Sequence, residues 1–477
     1  LASPEGPALL WDLDARTGRS WDQLLAARDG FLWLVTAAGK IFRLAGDELT
    51  VMGAYEGPLN PDALCLFGDR RGTIWAGTHG GLVRFADGVS TTFTAADGLV
   101  DGRVLSLFED REGSLWIGTY NGLNRFKRSR FETLTAADGL SADSVYSAFE
   151  SSDGNVWIAS PTGVVRYSEG RPRAAPVAGR LAGRIQALLE DSRERLWVGT
   201  SEGLFHLDGD TWKRYDRSED LARTAIHSLS ESRSGEIWVG TSTRAIRLGQ
   251  DGVATALELD GSPVADILED RQGDLWFATG KHLFQRRATV LISYPPEDSR
   301  TYRIREIRQD PSGVLWLGTV DSGLLRFEDG RFTEFNTANG LYDDHVWHSA
   351  EDAQGVVWMC SDRGLFTAVR RELEELARGE RTSISSVSYG LSDGLKNLEC
   401  NGVGDPAGLR RADGKLWFMT AGGVVIVDPD HLDRNPVIPD VLIEKVEIDG
   451  ITVLLKPVPL KPVPLKTPVG ARQIEVR

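Results

Sequence analysis

Residues 110–126 read DREGSLWIGTYNGLNRF, and degraded copies of this stretch run from one end of the 477-residue chain to the other. Its tryptophan returns as Trp33, Trp75, Trp116, Trp157, Trp197, Trp238, Trp276, Trp316, Trp358 and Trp417, at gaps of 38 to 42 residues and a last gap of 59. That period is the one expected of propeller blades of four strands, and longer than ankyrin or tetratricopeptide units. Three residues before the tryptophan stands a glycine in nine copies, with Glu194 the exception, so a turn belongs there. Three residues after it comes a hydroxyl in all ten: Thr36, Thr78, Thr119, Ser160, Thr200, Thr241, Thr279, Thr319, Ser361 and Thr420. A side chain present in every unit is no single catalytic group; its expected task is to hydrogen-bond the backbone of the following turn.

Within the unit around Trp116, four short runs follow one another at 104–109, 114–118, 123–126 and 130–134, too short for helices and separated by turn residues. Leu115 and Ile117 alternate with Trp116, so both faces of this strand are apolar and both must be covered. Sheets set side by side around an axis do this, and the fold class read from the sequence is all-β, a propeller of about ten four-stranded blades. The linker phrase also repeats, as AADGL at 95–99 and 136–140, ANGL at 338–341 and SDGL at 392–395, where an Asp-Gly or Asn-Gly pair makes a tight turn into each inner strand. Regularity breaks at 367–381, where TAVRRELEELARGER places Val369, Leu373 and Leu376 on one side of a short helix closed by Gly379; this insertion accounts for the gap of 59. Repeats are expected over 1–435, with a division near 140–150 into two rings. Residues 436–477 form a second region, with strands at 441–448 and 451–455, a twice-occurring LKPVP that is extended and unfit for a central strand, and a last strand beginning at 472.

The formal net charge of −15 argues against a nucleic-acid or anionic-membrane surface and for neutral or cationic partners. Cys65, Cys360 and Cys400 make no full set of bridges and have no metal-type spacing; no disulfide framework is read, and Cys360 is expected as a buried free thiol, with a Cys360–Cys400 bridge as the minor alternative. No apolar run reaches the length of a membrane span. No phosphate-loop, GxSxG, CxxC or dinucleotide fingerprint occurs in a suitable strand-turn-helix context, and no cofactor is expected.

The repeated DREGSLWIGTYNGLNRF phrase, the DGL linkers, the long last unit with Asp393-Gly394-Leu395 and Glu399-Cys400-Asn401-Gly402, and the closing Val427-Asp428-Pro429 resemble the two-component regulator propeller family. The resemblance implies the extracytoplasmic sensor of a membrane receptor, on the periplasmic side of a bacterial inner membrane, followed by an immunoglobulin-like sandwich whose first strands begin near Val441. It also implies a homodimeric receptor with a membrane span and a histidine kinase or diguanylate cyclase outside this chain. Better-known members carry two rings of seven blades, whereas ten tryptophans are counted here. A piece of a longer array is the favoured expectation, with one ring of about ten or two smaller rings as alternatives.

Function is sought in what varies between units. Two loop classes share one propeller face, one entering the inner strand and one between the second and third strands. The first holds Arg103, Asp143, Arg184, Arg223, Arg303, Asp343, Asp344 and His345; the second holds His79, Tyr120, Asn121, Arg244, Lys281, Asp321, Asp362 and Arg363. The arginines suit a carboxylate, sulfate or phosphate on a sugar or small metabolite, and Tyr120 or Trp347 offers a stacking surface for a pyranose. Ordinary solvated loop residues would look the same one at a time. In Asp343-Asp344-His345-Val346-Trp347-His348, the two histidines point to opposite faces of a strand, so neither a metal site nor a catalytic group is assigned. The expected function is ligand sensing without catalysis. A propeller-based carbohydrate lyase or hydrolase and a protein-interaction platform are the alternatives.

Overall fold

The computed structural model describes residues 63–86, 89–127, 129–174, 181–295 and 301–432, with strands at 21–26, 32–36, 40–45, 48–54, 442–448, 451–459 and 474–476. The readings made for 1–20, for Asp449-Gly450 and for the second LKPVP copy lie outside these residues. The chain divides into two compact units, one of 128–432 and one of 1–127 with 433–477.

Among the described residues, the unit of 128–432 holds seven four-stranded antiparallel sheets. Six are built from consecutive strands, as in Ile185–Glu190, Leu196–Thr200, Gly203–Asp208 and Thr211–Arg214 around Trp197. The seventh is composite: Gly408–Arg410, Leu416–Thr420 and Gly423–Val427 supply three strands, and Glu132–Leu134 from the other end of the unit pairs against Gly423–Val427 as the outer one. Leu134, Val145 and Ile158 pack in one cluster with Trp417, Met419 and Ile426, so the last sheet covers the first and the sheets close into a ring. The run at 130–134, expected as the fourth strand of the Trp116 sheet, is therefore corrected: its alternation fits any outer-strand position, and ring closure decides which sheet receives it.

The tryptophans are the wedges between sheets, with Trp316 0% and Trp358 2% exposed. An indole buried this deeply needs a partner for its N–H. It comes from the aspartate six residues earlier, with Asp191 accepting from Trp197 at 2.9 Å, Asp270 from Trp276 at 2.7 Å and Asp310 from Trp316 at 2.9 Å. Burial alone would raise the Asp310 carboxyl, but hydrogen bonds from Ser312 and Trp316, with Arg370 alongside, outweigh it and hold the group at about 2. Where Ser232 and Arg411 stand in place of this aspartate, the Trp238 and Trp417 indole nitrogens have no partner. The recurring hydroxyl acts as expected, with Thr200 donating to the Gly203 carbonyl at 3.0 Å and Thr420 to that of Gly423 at 2.7 Å. The DGL linkers are capped single turns; Thr135 precedes one, Asp138 accepts from the Thr135 N–H at 2.8 Å, and Gly139 follows at φ 108°.

The insertion in the sixth sheet forms the helix Arg370–Ala377, with Leu373 fully buried. Val369 is corrected: it ends the preceding strand Gly364–Val369 and is exposed. The helix is only part of the gap of 59, because the chain also makes a detour at 402–406 before the inner strand of the seventh sheet. A second correction concerns the cysteines. Cys360 and Cys400 are joined in a disulfide, because Cys360 on the second strand of the sixth sheet and Cys400 on the segment entering the seventh come within a Cα separation of 5.8 Å. Sequence spacing carried no sign of that approach.

In the other unit, four-stranded sheets form around Trp33 and Trp75, and a three-stranded sheet of Val104–Glu109, Leu115–Thr119 and Gly122–Phe126 forms around Trp116. Beyond 441, Leu442–Ile448 is the middle strand of three, flanked by Ile451–Pro459 and Ile474–Val476. The first LKPVP copy thus lies on a sheet edge, where a missing proline N–H costs no ladder bond.

Candidate functional site

In the ring, each inner strand has one edge paired within its sheet and the other free, leaving backbone N–H groups that must find acceptors. Buried carboxylates and the 402–406 detour supply them. Asp266 accepts from the Ile307 N–H at 2.6 Å, Glu306 from that of Ser349 at 2.7 Å, and Asp405 from that of Leu229 at 3.1 Å. The Asp405 backbone also accepts from the Leu188 N–H at 3.0 Å and donates to the Gln186 carbonyl at 2.8 Å, which fastens the detour to a strand of the second sheet. Beside these groups lies a cavity of ≈ 640 Å³ lined by Asp266, Arg305, Glu306, Trp347, His348 and Asp405 among others.

Three carboxylates so close cannot all hold charge out of water. Burial first, and Glu306 beside it, push the Asp266 carboxyl up to about 7 despite the hydrogen bond from Ile307. Burial and the neighbouring Asp266 raise Asp405 well above the usual carboxylate range. His348 Nδ1 lies 2.6 Å from Glu306 Oε1, and Ser349 Oγ donates to Glu306 at 2.8 Å. Among the described residues no group of three or more His, Cys, Asp or Glu has metal-holding geometry.

The sequence-expected residues are only partly brought together. Asp362 accepts from the Trp347 indole at 2.6 Å and lies 2.7 Å from His345 Nδ1, while His348 turns to Glu306, so the two histidines diverge as read. Asp343 is buried and accepts from the His345 N–H at 3.2 Å, and Asp344 is occupied by Thr337 at 2.7 Å, as Asp143 is by Ala136 at 2.8 Å. Arg184 lies over the Tyr146 ring at 5.8 Å and Arg363 over Tyr342 at 4.7 Å. Arg244 pairs with Glu258 at 3.0 Å on its own sheet. Arg223 ends the short helix Glu219–Arg223, and Arg223, Lys281, Arg303 and Asp321 are exposed. Tyr120 and Asn121 belong to the other unit, with His79 and Arg103: Asn121 donates to Asp101 at 2.6 Å, and Arg103 lies over Tyr120 at 5.4 Å and donates to His79 at 3.2 Å.

Missing from that sequence reading were Asp266, Glu306, Asp405, His227 and Arg305. A signal existed for most of them: VADILE and IREIRQ carry charges inside otherwise apolar inner-strand runs. Alternation places such charges on a face that meets the neighbouring sheet, where Asp266 and Glu306 accept from its backbone.

Comparisons with known proteins agree with the geometry. Residues 98–121, 139–162, 179–202 and 258–281 match the family model described as two component regulator propeller. The fold is similar to the extracellular domain of a hybrid two component system of B. thetaiotaomicron, with TM-score 0.62 and 19% identity over 92% of this chain and 66% of that one. It is also similar to the extracellular domain of a second such system from that organism, with TM-score 0.51 and 16% identity over 91% of this chain and 61% of that one. The chain thus spans less than two thirds of the length of those domains. No curated protein sequence matches it. Four repeats of this chain thus match the two component regulator propeller model, and they lie on an array of four-stranded sheets.

Proposed function

We propose that this chain is the ligand-sensing, extracytoplasmic region of a membrane-bound receptor of the two-component type, binding a small ligand such as a saccharide or acidic metabolite on one face of the ring. The observation that carries this reading is the ≈ 640 Å³ cavity, where a guanidinium, an indole and an imidazole meet at the ring's inner strands. Binding sites of small ligands are concavities of this size with a few convergent polar groups. Support for the compartment comes from the Cys360–Cys400 disulfide, a bond that persists outside the reducing cytosol. The net charge of −15 gives no footing to nucleic acid. Among the described residues no helix is long and apolar enough to cross a membrane. The proposed receptor is a homodimer whose membrane attachment and output module belong to segments outside this chain.

The test is a thermal-shift screen of the purified chain against oligosaccharides and acidic metabolites. A saturating ligand that binds only the folded state should raise the midpoint by about 5 °C or more. A panel with no shift, together with stoichiometric capture of a protein partner, would replace sensing by an interaction platform. A second reading, carbohydrate cleavage, has one observation in its favour: Asp362 orients the His345 imidazole as a carboxylate orients a general base. Turnover of a polysaccharide by the wild-type chain and its loss in His345→Ala would establish it.

A further inference from the structure

Four inner strands of the ring carry a β-bulge at the same place, between Ile185 and Ala187, Ile226 and Ser228, Val264 and Asp266, and Ile304 and Glu306. A bulge takes one residue out of the ladder and re-aims its side chain, and bulges recur beside functional sites. The residues taken out are Gln186, His227, Ala265 and Arg305. Tyr146 and Trp347 stand at the matching place in two further sheets, donating to the second-strand carbonyls of Ala159 and Cys360. None of the six is acidic. Arg305 lies over the Trp347 ring at 5.7 Å, as Arg184 lies over Tyr146 at 5.8 Å, and His227 Nε2 shares a hydrogen bond with Ser242 Oγ at 3.1 Å. Ala265, on the inner strand of the sheet between those of His227 and Arg305, carries only a methyl.

The His227 imidazole is held below its usual range by burial first, then by Arg305 and Arg184, so two cations from different sheets act on one ring. Arg305 is itself depressed by burial and by Arg303. Among the described residues neither Arg184 nor Arg305 has an ion-pair partner, in a protein of net charge −15. The nearby carboxylates are committed elsewhere, Asp362 to His345 and Trp347, and Glu306 to Ser349 and His348. A half-buried guanidinium, Arg305, and an exposed one, Arg184, each braced on an aromatic ring and left without a counter-charge, are the chemistry of an anion site.

We propose that Arg305 and Arg184, with His227 between them, form an anion-binding subsite at the inner rim of the ring, which takes a carboxylate or sulfate carried by the sensed ligand. This deepens the sensor reading and rests on it. A bound anion favours the imidazolium, so affinity rises as pH falls through the range where His227 titrates between its neighbours Arg305, Arg184 and Ser242.

The experiment titrates the whole chain with galacturonate, a galacturonate oligosaccharide, galactose 6-sulfate and neutral galactose, by calorimetry at pH 5.5 and 7.5. The acidic sugars should bind and galactose should not. Arg305→Gln and Arg184→Gln should each weaken binding about tenfold or more, while His227→Gln should remove the pH dependence. Circular dichroism of each variant must match wild type, and Arg305→Lys, which keeps the charge, should retain part of the affinity. Acidic sugars that bind both arginine variants unchanged would overturn the subsite and leave the sensor reading standing, as would binding of galactose equal to galacturonate. Absence of binding by every acidic probe also overturns the subsite; the sensor reading then stands or falls on the wider thermal-shift screen.

Discussion

The Trp197 and Trp116 sheets are written in the same repeat and meet different surroundings. Leu204 follows Gly203 on the third strand of one, and Leu123 follows Gly122 on the third strand of the other. Leu204 is 0% exposed and Leu123 is 59% exposed. On the strand beside them, a Cβ at Gly199 would sit 2.5 Å from Ile226 of the next sheet, whereas at Gly118 it would meet only Ser106 of its own. Phe108 on the same sheet as Leu123 is likewise exposed, and among the described residues that sheet lacks an outer strand. The repeat therefore encodes a sheet with two apolar faces, while the ring encodes a neighbour for each face.

The sharpest way to break this comparison is a pair of substitutions. Leu204→Asp buries an unpaired carboxylate and should cost about 4 kcal/mol or more, enough to abolish folding of the ring. Leu123→Asp should stay within about 0.5 kcal/mol. Urea unfolding followed by tryptophan fluorescence checks both, and equal losses would mean that the two faces are alike. Next in size is the disulfide, which spans 40 residues and belongs to the ring alone. Replacing Cys360 and Cys400 by alanine should cost about 2–4 kcal/mol. Cys65 is a free thiol in the other unit, pushed up to about 11 by burial, and should react only slowly with iodoacetamide at pH 8.

A third test uses pH. Asp266 holds its proton up to about 7, against 3.8 for an ordinary aspartate, so the folded ring keeps a proton that the unfolded chain releases. The stabilisation is complete below pH 3.8 and is lost as pH rises toward 7. Asp153 and Asp310, held at about 2, act in the opposite sense but below that window. Melting between pH 4.5 and 8 should show the decline, and Asp266→Asn should flatten it. In the other unit Asp110 is held low and supplies no such slope, even though burial alone would raise it: hydrogen bonds from the Trp116 indole and from Ser114 and Glu112, with Arg125 nearby, prevail. The smallest effect concerns a turn. Gly113 takes φ +80° before Trp116, but in the ring Glu194 occupies the same turn at φ +60°. Glu194→Gly should stabilise the ring by about 1 kcal/mol, and Gly113→Ala should cost its own unit about as much.

Much of the architecture was legible because it repeats. The tryptophan period, the paired apolar faces, the turn hydroxyls and the capped DGL turns are each written locally, the tryptophan and the hydroxyl in ten copies and the DGL turn in four. The aspartate that holds many of the indoles was equally present, six residues upstream, and was overlooked because a polar residue before a turn already has an explanation. Site residues were legible only where loops advertised them. Arg184, His345, Trp347 and Asp362 lie where the loop rule puts them, whereas Arg305, His227 and the carboxylates hide inside inner-strand runs.

What the sequence by itself determined is the blade, since its strands, turns and wedge are local in the chain and each copy specifies them again. Only the tertiary structure decided that seven sheets close on one another, that 132–134 completes the last of them, that Cys360 meets Cys400, and that the charges of Arg184 and Arg305 reach His227. Those four facts join residues from different copies, and no single copy carries information about which other copy will stand beside it.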